Sequence, residues 1–175
     1  MKLAFEPDFN EPQIKPLESV LILLGSEYSF SKKELENAYF DTSDFLLNKH
    51  RVALRIRRKL NEQGDAIFIQ TFKTAGQSED GLSRRGEWEW VLSEKKLNLN
   101  ELQHCEAWPG VIGTENLVKV FETNFTRFQA DIHWQNSSIE LALDWGLIIA
   151  KGKQEKIHEI FRSSGFSFLC GIVLV

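Results

Sequence analysis

Cysteine, methionine and proline are scarce in this chain of 175 residues, which contains two, one and four of them. Cys105 and Cys170 have no metal-ligand spacing, and we interpret them as unpaired thiols of a reducing cytosol. A basic excess is also lacking, because 25 acidic residues outweigh 21 basic ones and give a formal charge of -4. A dedicated nucleic-acid binder normally carries a basic surplus. The composition therefore argues against a nucleic-acid partner.

Targeting segments and common catalytic signatures are absent as well. The apolar segment 166–175 is too short for a membrane span of about 20 residues, and no basic segment followed by an apolar stretch opens the chain as in a signal peptide. No P-loop, G-x-G-x-x-G, H-E-x-x-H or Ser-His-Asp signature can be recognised. The histidines have no ligand spacing and are interpreted as structural or surface residues: His50, His104, His133 and His158. We expect a cytoplasmic globular protein without a membrane partner.

Periodicity predicts one N-terminal helix followed by many strands. Residues 10–24 read as a helix that Asn10 can cap and Gly25 can stop. Alternating patterns predict strands at 34–40, 52–60, 66–73, 83–92, 118–134, 137–144, 148–150 and 156–160. Short helical segments are expected at 45–48 and 97–105, and a mobile loop at 74–82. This succession of antiparallel strands is typical of a barrel or a sandwich.

The strands carry charge on one face and apolar side chains on the other, because successive side chains alternate across a strand. Basic residues share a face of the second strand, namely Arg51, Arg55, Arg57 and Lys59. Acidic residues accompany Arg85 on the fourth strand, as Glu87 and Glu89, with Trp88 and Trp90 opposite. On the late strand Glu140 and Asp144 share a side.

Two interpretations of these faces stay open. An amphipathic strand ordinarily turns its charges to water and its apolar side to the core. Alternatively, the charged faces line a channel and the apolar faces pack under helices, which suits the bulky Trp88 and Trp90. Arginines in such a channel could each donate two hydrogen bonds to phosphate oxygens. Carboxylates could hold a hard divalent cation there.

Several short segments, in order, resemble the CYTH superfamily. They are LENAYFDT at 35–42, ALRIR at 53–57, TFK at 71–73, RGEWE at 85–89, Arg127, and IELALD at 139–144 followed by Gly146. The resemblance implies a mainly β, α+β fold: an eight-stranded antiparallel β-barrel, or triphosphate tunnel, with helices packed outside. The spacing is most similar to the bacterial inorganic triphosphatase branch. That branch implies hydrolysis of a terminal phosphate with Mg²⁺ or Mn²⁺ as cofactor.

The resemblance also implies roles for individual residues. Phosphate oxygens would be bound by Lys2, Arg55, Arg57, Lys73, Arg85 and Arg127. The acidic side, which would hold the metal ions and the attacking water, would consist of Glu87, Glu140, Asp144 and Glu159, with Glu89 as a weaker candidate. In two-metal chemistry one ion neutralises the phosphates while the other activates water. The protein then contributes positioning and electrostatic stabilisation.

The two ends depart from the family pattern. An acidic E-x-E-x-K first strand is matched only by Lys2, and the alternating acidic last strand is expected to end at Glu159-Ile160. We therefore expect a CYTH-like domain at 1–160 and an atypical apolar tail at 161–175, which a frameshift or a truncation would explain. If that tail extends the last strand against a neighbour, a homodimer results.

The substrate is not fixed by these patterns. Inorganic triphosphate is the first expectation, with activity impaired in this form by the missing glutamates. A class IV adenylate cyclase or a thiamine triphosphatase would use the same tunnel on an organic triphosphate. A non-catalytic polyphosphate-binding module is the alternative outside enzymes, because arginines can bind an anion without a positioned metal.

Overall fold

The computed structural model describes residues 14–23, 25, 27–61, 63–75, 77–79, 82–84, 86–134 and 137–164. The helices are α1 (Ile14–Leu23), α2 (Leu46–Lys49) and α3 (Leu99–Gln103), with a 3₁₀ turn at Thr114–Asn116. The strands are β1 (Glu27–Thr42), β2 (Ala53–Leu60), β3 (Ala66–Lys73), β4 (Gln77–Glu79), β5 (Leu82–Arg84), β6 (Glu87–Leu92), β7 (Leu117–Trp134), β8 (Ser137–Ala150) and β9 (Lys153–Ser164).

The fold is mainly antiparallel β with few helices, as predicted. Backbone hydrogen bonds join seven strands in the order β6-β3-β2-β1-β7-β8-β9, and β4 pairs separately with β5. This order is linear over the part of the chain that the structure describes, so closure into an eight-stranded barrel stays a prediction.

Two compact units divide the chain. The first contains residues 1–32, 126–146 and 156–175, and the second contains residues 33–125 and 147–155. In the first unit a core of buried residues collects Leu21 of α1 with the apolar faces of β7 and β8: Phe128, Ala130, Ile132 and Leu143. Leu21 is thus the residue through which α1 joins this core. Gly25, at φ +62°, follows the helix end as expected.

The core of the second unit lies between its strands and two short helices. Buried Leu47 of α2 and Leu102 of α3 pack with Leu54 of β2 and Phe72 of β3. Trp88 and Trp90 of β6 pack against the same cluster, as two large apolar rings under helices should. The apolar side of β2 therefore faces the core, as the sequence predicts.

The turn after β1 explains part of the YFDT segment. Asp41 is buried, and its Oδ1 accepts hydrogen bonds from the backbone N–H groups of Thr42 and Leu47, while its Oδ2 accepts one from Asn48. Thr42 Oγ1 accepts from the backbone N–H of Leu46. These bonds satisfy the exposed donors that begin α2, so both side chains have a structural role here.

Two predicted elements are corrected by the structure. The expected loop 74–82 contains β4 and the first residue of β5, a hairpin of polar residues without the apolar alternation that reveals strands in a sequence. The predicted strand 83–92 is divided, because residues 83–84 belong to β5 and β6 begins at Glu87. Before it, Gly86 N–H donates to Thr74 Oγ1 and Gly86 C=O accepts from Thr74 N–H, which closes the preceding turn.

Other strands are longer than predicted. β1 runs from Glu27, and β8 joins the predicted strands 137–144 and 148–150 through Gly146. β9 continues to Ser164, four residues beyond the predicted end at Ile160. Backbone pairing with neighbouring strands maintains an extended conformation where side-chain alternation is weak. Residues 165–175 of the predicted tail and residues 10–13 of the predicted helix lie outside the described residues.

Candidate functional site

The second unit presents the predicted basic residues on one sheet face, here called the basic face. Residues directly opposite one another in antiparallel strands share a face. One row across β1, β2, β3 and β6 consists of Tyr39, Arg55, Thr71 and Glu89. The neighbouring rows contribute Asn37 with Arg57, and Lys73 with Glu87. The basic face is defined by these eight residues, and it lies opposite the core formed by Leu54 and Phe72.

Arg55 carries an unsatisfied donor at the centre of this face. Its Nε is buried and has no hydrogen-bond partner among the described residues. In the same row Thr71 Oγ1 donates to Glu89 Oε1 at 3.0 Å. A buried donor left unpaired costs about 1–3 kcal/mol, and more when it belongs to a charged group. The position of Arg55 therefore suits an anion that supplies an acceptor.

Arg57 is held by a neutral side chain. Its Nε donates to Asn37 Oδ1 at 2.8 Å. Asn37 Nδ2 in turn donates to Thr123 Oγ1 on β7 at 2.9 Å. The sequence patterns did not single out Asn37 or Thr123, because a lone amide and a lone hydroxyl in strands have no distinctive spacing. Their positions opposite Arg57 became visible only from the strand register.

Lys73 and Glu87, predicted for phosphate and metal respectively, contact each other. Lys73 Nζ lies 2.7 Å from Glu87 Oε1, and both side chains are partly exposed. They occupy facing positions on β3 and β6, where opposite charges attract. Both residues lie on the basic face at its β6 edge, and their separate roles stay predictions.

The first unit contains four further residues of the predicted site, which are Arg127, Glu140, Asp144 and Glu159. Arg127 of β7 forms a two-pronged ion pair with Asp144 of β8, with Nε donating to Oδ1 at 2.7 Å and Nη2 donating to Oδ2 at 2.6 Å. The Asp144 side chain is only 4% exposed. This hydrogen bond is the main cause that raises the pKa of Arg127. Desolvation by burial opposes the rise, and the charges of Asp144, Glu140 and Glu159 add to it. Such fork-shaped pairs fix the planes of both groups.

Glu140 and Glu159 belong to the same charged surroundings. The exposed Glu140 accepts a hydrogen bond from Gln129 Nε2 at 3.1 Å. Glu159 is half-buried on β9, and burial followed by repulsion from Asp144 raises its pKa, with Arg127 opposing the rise. A raised carboxyl pKa means that the folded state favours the protonated form over the ionised form.

Replacing Glu159 by glutamine should stabilise the fold at neutral pH. Folding raises the pKa of Glu159, so the protonated carboxyl contributes to the stability of the fold below the unfolded pKa of 4.5. This contribution is lost as pH rises through the folded pKa. The stability gain of Glu159→Gln should be largest at pH 7 and vanish near pH 4. Urea unfolding at both pH values measures it, with Glu155→Gln on the exposed part of β9 as control. A gain that is equal at both pH values would contradict this prediction.

Some predicted site residues cannot be placed. Lys2 and Arg85 lie outside the described residues, so their predicted phosphate contacts remain predictions. Within the described ranges, no group of three or more His, Cys, Asp or Glu side chains is arranged to hold a metal ion. The carboxylates supply the oxygen donors that Mg²⁺ and Mn²⁺ prefer. Asp144 and Glu87 are, however, committed to Arg127 and Lys73, so these residues do not form a metal site as they stand.

No helix of the described part of the chain is long and apolar enough to cross a membrane.

The chain is similar in sequence to a known protein family and to a member with a known activity. Its residues 13–160 match the family model described as the CYTH domain. The chain is 35% identical over 130 residues to the inorganic triphosphatase of Haemophilus influenzae, covering 72% of this chain. The match covers only 34% of that relative, so the chain spans about a third of its length.

Two solved structures are also similar to the chain. One is a Bacillus halodurans protein proposed to be an adenylate cyclase, with 24% identity, a TM-score of 0.49, and coverage of 91% of this chain and 77% of that one. The other is an adenylyl cyclase candidate from Hippeastrum with a dominant triphosphatase activity, with 16% identity, a TM-score of 0.47, and coverage of 78% and 68%. Since the CYTH model matches most of its length, the chain belongs to the CYTH domain family.

Proposed function

We propose that this chain hydrolyses the terminal phosphate of inorganic triphosphate in a reaction that depends on Mg²⁺ or Mn²⁺. The observation that carries the proposal is the buried Nε of Arg55 on the basic face, which has no hydrogen-bond partner in the part of the chain that the structure describes. An anion with several oxygens could contact Arg55 and Arg57 together, because the two arginines are two residues apart on one strand and share its face. A triphosphate is long enough to engage neighbouring rows at once.

The phosphate-binding residues proposed for this reaction are Lys2, Arg55, Arg57, Lys73, Arg85 and Arg127. Arginine suits this purpose because its planar donors match two phosphate oxygens and its charge persists at all physiological pH values. In a phosphoryl transfer such groups position the substrate and neutralise the charge spread over its oxygens. A similar relative, the H. influenzae protein, is an inorganic triphosphatase, which supports this choice of substrate.

The metal ion has a separate role in the proposed reaction. A divalent cation would neutralise the phosphates and activate water. The proposed acidic side consists of Glu87, Glu140, Asp144 and Glu159, with Glu89 as a weaker member. Because the described carboxylates do not meet as a ligand set, no catalytic step is assigned to any of them.

A second candidate function follows from two ion pairs of the proposed site. Asp144 is bound by Arg127 and Glu87 by Lys73, so two of the proposed metal ligands already have cationic partners. A chain in which these pairs persist would bind polyphosphate through Arg55 and Arg57 without turning it over. This favours the non-catalytic polyphosphate-binding module as the alternative to an enzyme.

Phosphate release tests these functions directly. The purified chain is incubated with inorganic triphosphate, ATP or thiamine triphosphate, each with and without Mn²⁺, and both phosphate and cyclic AMP are measured. We expect Mn²⁺-dependent phosphate release, fastest from inorganic triphosphate. Binding without release would support the binding module, and preference for an organic triphosphate would replace the proposed substrate.

A cytoplasmic location and a homodimer are proposed together with this function. Cell fractionation tests the location, and sedimentation of the purified chain tests the oligomeric state.

A further inference from the structure

Asn37 is a buried polar residue to which the proposed reaction gives no role. It is 1% exposed and lies on β1 between Arg57 of β2 and Thr123 of β7. Its carbonyl and its amide nitrogen are both used, one toward each neighbouring strand. A buried amide with both ends paired is held in a single orientation.

The chemistry of the partners fixes that orientation. A guanidinium group has donors only, so the atom of Asn37 that faces Arg57 Nε has to be the carbonyl oxygen. The amide nitrogen then faces Thr123, whose Oγ1 lies at 2.9 Å and whose backbone carbonyl oxygen lies at 3.5 Å. The hydroxyl of Thr123 can donate or accept, so it accommodates the orientation that Arg57 imposes and holds the amide nitrogen on the β7 side.

The neutral charge of this acceptor distinguishes it from the partners of other basic residues. Arg58, next to Arg57 but on the other face, pairs with Glu36 at 2.9 Å. Lys73 pairs with a carboxylate as well. At the Nε of Arg57 an amide takes this place. An amide orients a guanidinium by a hydrogen bond without adding a negative charge beside it.

We propose that Asn37 is a positioning residue for the phosphate site: it orients Arg57 through Nε with a neutral acceptor, so that no carboxylate at this contact offsets the charge offered to the triphosphate. This inference rests on the proposed function, because it requires a triphosphate at the basic face. It extends that function by assigning Asn37 and Thr123 to the site as residues that act through Arg57. A carboxylate in place of the amide would accept the same hydrogen bond and compete with the anion.

Asn37→Asp tests the inference because it preserves size and the acceptor for Arg57 Nε while adding a charge. The Nδ2 donor becomes an oxygen, to which the hydroxyl of Thr123 can donate. Binding of inorganic triphosphate with excess Mg²⁺ is measured by calorimetry, and the melting temperature reports the fold. We expect affinity to fall at least about 10-fold, which corresponds to roughly 1.4 kcal/mol. Asn116→Asp, the same change at an exposed position of the 3₁₀ turn, should bind like the unaltered chain. In an Arg57→Ala background, Asn37→Asp should cost less than about 2-fold, because its effect passes through Arg57.

Thr123 provides a second route should Asn37→Asp fail to fold. Thr123→Val removes the hydroxyl acceptor at similar volume and should weaken triphosphate binding by about 3-fold, since the backbone carbonyl at 3.5 Å retains part of the contact. Thr123→Ser keeps the hydroxyl and should restore affinity. Equal affinity of a folded Asn37→Asp variant and the Asn116→Asp control, or of Thr123→Val and Thr123→Ser, would overturn the inference alone. Failure of the unaltered chain to bind triphosphate would overturn the proposed function, and this inference with it.

Discussion

Replacing Arg57 by alanine should weaken triphosphate binding about 10- to 150-fold, whereas Lys59→Ala should change it little. A charge-assisted contact to a phosphate contributes roughly 1.5–3 kcal/mol, which gives that range of affinities. Arg57 lies on the basic face and is oriented by Asn37. Lys59 shares the face but lies nearer the strand end, opposite Ile67. Lysine also lacks the planar fork of arginine.

Calorimetric titration of both variants with inorganic triphosphate measures this difference. Lys59→Ala is the matched control, since it removes the same unit of charge from the same strand and face. Melting temperatures of both variants check that the sheet remains folded. Equal losses of affinity would mean that the arginine supplies only general charge, and the assignment of Arg57 as a phosphate ligand would then be wrong.

Replacing Arg127 by alanine should lower the free energy of unfolding by about 3–5 kcal/mol, the range for breaking a buried ion pair from one side. The large effect arises because Asp144, with its side chain 4% exposed, would keep a buried charge without its two-pronged partner. The double variant Arg127→Ala with Asp144→Ala should recover part of the lost stability, since it also removes the buried carboxylate that Arg127→Ala leaves without its arginine partner. Stability of the fold, rather than affinity alone, therefore depends on this predicted phosphate ligand.

Urea unfolding of the single and double variants at pH 7 provides the measurement. Lys119→Ala serves as control because its pair with Glu122 is largely exposed at Lys119, and such pairs contribute about 0–1 kcal/mol. A double variant that is less stable than Arg127→Ala would show that packing, and not the ion pair, dominates at this position.

Strand faces were predictable from the sequence because side-chain alternation is a local property of extended chain. Leu54 lies in the core and Arg55 with Arg57 on the opposite face, as the alternation at 53–57 predicts. Trp88 and Trp90 pack where large apolar side chains were expected. The bounds of the strands were less predictable, since β9 and β1 extend through residues whose own patterns are weak and whose pairing comes from other strands.

The partners within the site depended on register, which joins residues far apart in the chain. Asn37 and Thr123 are 86 positions apart, and nothing in either segment indicates that one contacts the other. Lys73 and Glu87 were assigned to different roles from their family positions, but they face each other across β3 and β6. A single sequence specifies which face each side chain occupies, whereas the opposing residue is chosen by the neighbouring strand.

The sequence by itself determined that this chain is an antiparallel β protein with charged strand faces and CYTH motifs. Both the two-residue alternation and the order of the short motifs are local patterns that can be recognised in a single sequence. Only the tertiary structure decided that Arg55 Nε is buried with no hydrogen-bond partner among the described residues, that a neutral amide holds Arg57, and that Arg127 is paired with Asp144. Those outcomes depend on distances of a few ångströms between strands, and such distances are set by sheet pairing and burial rather than by local residue patterns.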